Sequence, residues 1–161
     1  MALAQSRPTG LLRLALRLPI WLYRLHLGWL LGHRFLLLTH RGRATGRPRQ
    51  AVIEVIRYDP TTRQSVVVSG WRGETDWYRN LQAHPALEIV TGAERYVPQQ
   101  RFLDTTETAA ELRAYVARHP LVAKRVLAAI FGLELDDTTQ SYANAADFFR
   151  GVAFRPRSGS L

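Results

Sequence analysis

Leu36 to Gln50 reads LLLTHRGRATGRPRQ: a short apolar run, then four arginines and two glycines, then entry into the β-branched run Ala51 to Tyr58. Two strand-like segments joined by such a turn form an antiparallel hairpin, because Gly42 and Gly46 permit positive φ and close backbone approach. Pro48 stiffens the exit and removes one backbone donor. The turn is also an anion cradle by composition, since Thr39, Arg41, Arg43, Arg47 and Arg49 can donate to phosphate or carboxylate. A solvated basic hairpin has the same composition, so the turn alone leaves both readings open.

Outward from this hairpin the pattern stays β-rich. Phe35 to Thr39 is one strand, and Ala51 to Tyr58, carrying Val52, Ile53, Val55 and Ile56, is the next. Asp59, Pro60, Thr61 and Thr62 turn the chain into Ser65 to Ser69. After the glycine-bearing loop Gly70 to Glu74, Asp76 is the expected N-cap of a short helix over Trp77 to Ala83, ended by His84 and Pro85. Leu87 to Thr91 and Arg95 to Leu103 read as a further hairpin about Thr91, Gly92 and Ala93. Asp104 and Glu107 form a capping-box pattern that opens a helix to about Arg118, and Pro120 begins a second helix ending near Phe131 and Gly132. Leu133 to Asn144 reads as a loop, Val152 to Phe154 as a last strand and Arg155 to Leu161 as a frayed end.

Upstream, Leu11 to Leu31 reads as a helix whose arginines Arg13, Arg17 and Arg24 fall within roughly 40° of one another, with apolar side chains around most of the circumference. Those arginines and Pro19 break any membrane-spanning run, and a cleaved leader fits poorly. Two readings remain: a helix packed on protein, or an interfacial membrane anchor to which three arginines contribute roughly 3 kcal/mol on an anionic surface.

The chain has 161 residues, 47% of them apolar, enough for one domain with a proper core. Its formal net charge is +9, and Lys124 is its one lysine, so the positive charge is almost all arginine, suited to planar anions. The absence of cysteine excludes disulfides and thiolate chemistry, and fits a reducing, cytoplasmic setting. The five histidines show no metal-ligand spacing, so no metal is expected. Nucleic acid would be favoured by charge alone and is not expected as the partner. Strands in hairpins, with helices at the start and after the main strands, make an α+β fold around an antiparallel sheet or small barrel. No glycine fingerprint of a dinucleotide fold is present.

The segment Val66 to Pro85, VVVSGWRGETDWYRNLQAHP, supplies what a flat anionic cofactor requires: aromatic surface, hydroxyl and backbone donors, and arginine. Taken in order, Thr39-x-Arg41-Gly42-Arg43-x-Thr45-Gly46-x-Pro48-Arg49, then Ser69-Gly70-Trp71, then Asp76-Trp77-Tyr78-Arg79-Asn80-Leu81 up to His84-Pro85 resemble the deazaflavin-dependent nitroreductase family, over roughly Phe35 to Phe131. The resemblance implies a split β-barrel related to flavin mononucleotide (FMN)-binding oxidoreductases. It also implies reduced coenzyme F420 as hydride donor, with FMN as the alternative ligand.

By motif position, Arg41, Arg43, Thr45, Arg47 and Arg49 would face the cofactor's acidic tail, with Thr39 of the same motif counted among the cofactor-binding residues. Ser69, Gly70, Trp71 and Arg72 would line the ring and phosphate, with Trp77, Tyr78 and Asn80 supporting that wall. No catalytic side chain is assigned, since hydride transfer needs orientation and exclusion of water more than a protein nucleophile. The family commonly has lysine where this chain has Ala44, and some nitro-reducing members carry tyrosines where Pro120 to Phe131 has none.

The expected activity is hydride transfer to a hydrophobic quinone-like or nitro acceptor; the alternative is a non-enzymatic carrier of a flavin, fatty acid or other lipophile on the same barrel. The expected organisation is a basic apolar helix over 1–34, one barrel domain over 35–155 and a flexible tail over 156–161. Peripheral contact with the inner face of the membrane through Leu11 to Leu31, and a homodimer, complete the expectations.

Overall fold

The computed structural model describes residues 22, 23, 25, 27–121 and 138–158. The helix expected over Leu11 to Leu31 lies mostly outside these residues, as does the one expected from Pro120 to Phe131; of the first, the described part ends in the 3-10 turn Gly28–Leu31. Seven strands are present among the described residues: β1 Phe35–Arg41, β2 Pro48–Asp59, β3 Gln64–Ser69, β4 Glu88–Thr91, β5 Glu94–Tyr96, β6 Pro98–Phe102 and β7 Arg150–Pro156. Three α-helices accompany them: α1 Asp76–Ala83, α2 Thr105–Arg118 and α3 Thr139–Phe148.

The strands lie in the order β5-β4-β1-β2-β3-β7-β6, and every neighbouring pair is antiparallel. The stretch expected as one strand from Arg95 to Leu103 is instead divided into β5 and β6, which sit at opposite edges of this order. Pro98 has no N–H to continue the β4–β5 ladder, so the chain leaves one edge at Val97 and begins the other. Val97 O accepts from Arg157 N at 3.1 Å, tying this crossing to the end of β7. The sheet thereby curls until its two edges are joined by a single residue, a split β-barrel in an α+β fold.

Alternation along the strands sorts the core. Leu36, Leu38, Ile53, Val55, Val67, Val152 and Phe154 pack with Tyr78 and Leu81 of α1 in the barrel interior. The intervening Ile56, Val66 and Ala153 form a second layer with Leu103 on the outer face. Strands β3 and β7 are thus covered on both sides, which is why they read as unbroken apolar runs. The β1–β2 register runs from Phe35↔Glu54 to Arg41↔Pro48, and a register shift between Val55 and Arg57 bulges β2 where it passes to β3.

The helix starts differ in one respect from the sequence reading. Asp104 and Glu107 form the reciprocal capping box: Glu107 N donates to Asp104 Oδ1 at 2.7 Å, and Asp104 N to Glu107 Oε2 at 3.0 Å. For α1 the N-cap is Thr75, not Asp76, and Asp76 occupies the first turn, where a carboxylate opposes the positive helix end. Thr75 Oγ1 lies 2.6 Å from Ser69 Oγ, so its hydroxyl joins the helix start to the end of β3. The loop expected over Leu133 to Asn144 is also corrected: from Thr139 the chain is helical, capped by Thr138, whose side chain accepts from Ser141 N at 3.1 Å. Tyr142, Ala145 and Phe149 recur at helical spacing and bury against Leu112 and Val116 of α2, which outweighs the weak propensity of the Thr-Gln-Ser start.

Candidate functional site

The arginine-rich turn closes on itself before it meets anything else. Gly42 N donates to Arg47 O at 2.9 Å and Gly46 N to Gly42 O at 2.8 Å, leaving Arg43, Ala44 and Thr45 projecting at the tip. Gly46 has φ +67°, a left-handed conformation that glycine adopts without strain.

The tip is fastened to α1 by Asn80. Its Oδ1 accepts from both Arg43 N and Arg43 Nη1, each at 3.0 Å, while its Nδ2 lies 3.0 Å from Nδ1 of His40. Arg43 Nη1 and Nη2 also reach Asp76 Oδ1, both at 3.2 Å. His40 and Asn80 are buried, so this polar bridge lies under the turn rather than on its surface. Burial pushes the His40 pKa below its ordinary value, and the cation of cross-strand Arg49 adds to this; Asp76 and a backbone hydrogen bond with Arg41 oppose it. Neutral His40 accepts at Nδ1 from the Asn80 amide, so all three Asn80 contacts are satisfied by one amide orientation.

Between this turn and α1 lies an open cleft of about 430 Å³. Of the residues singled out in sequence, Arg43, Thr45, Arg49, Trp77 and Asn80 line it. Arg41 and Arg47 are exposed on the same turn but outside the cleft lining. Thr39 points to the other face of β1, half-buried, its hydroxyl without a protein hydrogen bond among the described residues. Tyr78 faces away: it belongs to the barrel core, edge-on to Phe102 at 5.4 Å, and burial raises its pKa. Trp77 therefore borders the cleft while packing on the edge of the core in which Tyr78 is buried.

Ser69, Gly70, Trp71 and Arg72 form a separate segment at the end of β3, outside the cleft lining. Trp71 and Arg72 have φ of +48° and +56°, and Gly73 has +81°. Two consecutive non-glycine residues in this region store strain of about 1–3 kcal/mol each. The hydrogen bonds Gly73 N to Gly70 O at 3.1 Å and Glu74 N to Trp71 O at 3.0 Å hold the shape.

The sequence reading missed His40, Gln50, Ala51 and Asp76 as cleft residues. His40 was findable, because it continues the inward series Leu36, Leu38 on β1. The donor set fits an elongated anion with a flat portion: guanidinium groups, the Thr45 hydroxyl and the Trp77 ring border one cleft, and Ala44 leaves its rim sterically open. No group of three or more metal-ligating side chains occurs among the described residues.

Comparison with known proteins bears on this site. The family model for F420H(2)-dependent quinone reductase matches residues 17–124. Among solved structures, an F420-H2 dependent reductase is 16% identical, with 77% of this chain and 96% of that chain covered, at TM-score 0.50. Another, described as a domain-swapped dimer, is 15% identical over 85% of this chain and 99% of its own, at TM-score 0.51. An Agrobacterium tumefaciens protein of unknown function is 17% identical over 98% of this chain and 60% of its own, at TM-score 0.50. At such identities the structural likeness concerns the fold. No curated protein matches in sequence.

Proposed function

Because this chain belongs to the F420H(2)-dependent quinone reductase family, and is thereby a reductase that uses the deazaflavin F420, we propose that its acceptor is a hydrophobic quinone and that nitro compounds are reduced incidentally. When bound, the reduced cofactor would supply a hydride and release a proton, together the two electrons and two protons that convert quinone to hydroquinone. The residues of this chain bind and orient. Arg41, Arg47 and Arg49 present exposed guanidinium groups to the acidic tail, Thr45 adds a hydroxyl, and Trp77 gives the cleft an apolar wall. Arg43 has a different part: its contacts to Asn80 and Asp76 hold the turn against α1. The strained segment Ser69 to Arg72 is the surface we assign to the ring, with Tyr78 supporting it from the core.

The observation that carries the reading is the cleft between the arginine turn and α1, built from both motifs and clamped by Asn80. It is tested by titrating the protein with deazaflavin and FMN in parallel, then following turnover with a short-chain quinone and a nitroaromatic. Tight deazaflavin binding with quinone turnover exceeding nitro turnover is expected; the reverse preference would refute the acceptor assignment.

We assign residues 1–34 to an N-terminal basic apolar segment and the barrel to 35–155, extended by Pro156 of β7 and by Arg157, which bonds Val97 O, leaving 158–161 as a tail. Among the described residues, no helix is long and apolar enough to cross a membrane. Exposed Leu25, Trp29 and Leu30 at the end of the N-terminal segment support peripheral membrane contact at the inner face, where a lipid-soluble quinone would be met. A homodimer is supported by the relative of the same fold described as a domain-swapped dimer, and is checked by light scattering on the purified chain.

A further inference from the structure

Arg150, the first residue of β7, joins the end of α3 to the strained turn that follows β3. Its Nη1 lies within donating distance of three carbonyls at the end of α3: Ala146 O at 3.0 Å, Asp147 O at 2.8 Å and Phe149 O at 2.9 Å. Carbonyls in the last turn of a helix lack partners within it, and a cation there also opposes the negative helix end. The guanidinium is therefore anchored. Its anchor is itself seated, because Tyr142, Ala145 and Phe149 bury against α2.

The stem of the same side chain lies along the turn. In the β3–β7 register Arg150 stands opposite Ser69, the residue from which the turn departs. A Cβ built on Gly73 would lie 2.8 Å from Tyr78 Cε1 and 3.2 Å from Arg150 Cγ. The backbone of Gly73 thus passes between a ring of α1 and the stem of Arg150. Burial raises the Tyr78 pKa, and the nearby Arg150 cation opposes that rise. Helix α3 also packs against the turn directly.

The turn requires such support. Trp71, Arg72 and Gly73 are left-handed in succession, a region that L side chains favour leaving. The hydrogen bonds Gly73 N to Gly70 O and Glu74 N to Trp71 O run along the turn and do not tie it to the barrel. Ser69 Oγ, beside Thr75 Oγ1, joins its two ends. Gly73, held between Tyr78 and Arg150, fixes its middle. An arginine that only capped α3 would have a free stem; here the stem is committed to Gly73.

We propose that Arg150 is a positioning residue for hydride transfer: tied to the carbonyls of α3, its stem holds Gly73 and so sets the shape of the Trp71–Gly73 turn against which the flat ring lies. The inference rests on the assignment of Ser69 to Arg72 to the ring, and adds what keeps that surface in place. Arg150 acts through Gly73 and needs no contact with cofactor or acceptor.

The test takes two readouts on Arg150→Met, which keeps a stem of similar length and loses the anchor. Amide hydrogen exchange at Gly73 and Glu74 in the ligand-free protein should quicken about tenfold or more, the loss of one charge-assisted hydrogen bond. Single-turnover hydride transfer from reduced deazaflavin to a short-chain quinone should slow about tenfold, since a misplacement of about 1 Å can cost about a hundredfold. The cofactor dissociation constant should change less than about threefold, because the arginine turn is untouched. Arg150→Lys, which returns a cation to the carbonyls, should recover most of the rate; Arg150→Gln, with an amide donor, should fall between and serves where Arg150→Met does not fold. Thr138→Ala removes the side-chain cap at the other end of α3 and should lower Tm while leaving both readouts parental. Equal changes in Thr138→Ala and Arg150→Met would overturn the proposal and leave Arg150 a helix cap, as would parental exchange at Gly73 in folded Arg150→Met. Trp71→Leu tests the ring assignment separately and should shift the absorption maximum of bound deazaflavin. An unshifted spectrum would overturn that assignment and this inference with it. A shifted spectrum with parental hydride transfer in Arg150→Met would overturn the part of Arg150 alone.

Discussion

Asn80→Ala should loosen the arginine turn from the barrel, and its effect can be built up from the contacts it removes. Asn80 is 2% exposed and makes three hydrogen bonds of 3.0 Å, two from Arg43 and one to His40. A hydrogen bond contributes about 1 kcal/mol net, somewhat more from a charged donor, and a buried acceptor left without a partner costs a further 1–3 kcal/mol. Arg43 can recover water because its tip is partly exposed, whereas Nδ1 of His40 cannot. The expected loss is therefore about 3 kcal/mol, or about 6–12 °C in Tm for a chain of this size. Deazaflavin affinity should fall more than tenfold, since the tip no longer holds one position. Urea denaturation and fluorescence titration measure the two effects, and Arg43→Ala combined with Asn80→Ala should be less damaging than the sum of the singles by about 1 kcal/mol or more. Additive losses, or a stability change below about 0.5 kcal/mol for Asn80→Ala, would refute the clamp.

His40 gives the same bridge a pH dependence. Its folded pKa lies below the ordinary value of 6.5, so the unfolded chain takes up the proton first; the stabilisation is present above about pH 6.5 and is lost as pH falls through the folded pKa. A plot of Tm against pH should fall below pH 6.5 in the parent, and this component should be absent in His40→Gln. Ala44→Lys should tighten binding of oligoglutamyl deazaflavin by up to about fivefold, the exposed rim limiting the gain to about 1 kcal/mol, and the gain should vanish in high salt. Gly73→Ala should destabilise by about 3 kcal/mol on chemical denaturation, because φ is +81° and a Cβ there would meet the Tyr78 ring at 2.8 Å. Phe154→Ala, at a fully buried position in the barrel interior, should cost about 3–5 kcal/mol by the same assay.

The hairpin and the capping box were legible because both are written in local chemistry: glycines and a proline at fixed positions in the turn, and Asp104 three residues ahead of Glu107. The division of 95–103 was less so, although Pro98 stood in the sequence as its cause, since what β6 pairs with is β7, over fifty residues away. Helix α3 was hidden by its polar start, and only Tyr142, Ala145 and Phe149 betray it. At the candidate site, residue types and two motifs suggested an anion cradle, but which side chains meet in one cleft depends on distance. Sequence could not separate Arg43, which bonds inward to Asn80, from Arg47, which faces solvent, because both sit in the same turn with the same side chain.

That distinction changes what the arginine turn requires. A cation cluster free to move would bind an acidic tail at the cost of ordering each side chain, about 0.5–1.5 kcal/mol apiece. Here Arg43 has already fixed the tip, through Asn80 to His40 on β1 and through Asp76 to the start of α1, before any ligand arrives. Arg49 is held by its place in the β1–β2 ladder, opposite His40. The backbone conformation that presents Arg47 and Thr45 is set by Gly42 and Gly46. A lysine at position 44 would add attraction to a frame that is already rigid, so on the proposed reading its absence would weaken the grip on an acidic tail without removing the site. If the turn holds the tail as proposed, it would act by preorganisation more than by charge, and its neutral, buried anchor Asn80 should matter to cofactor affinity more than any one exposed arginine does.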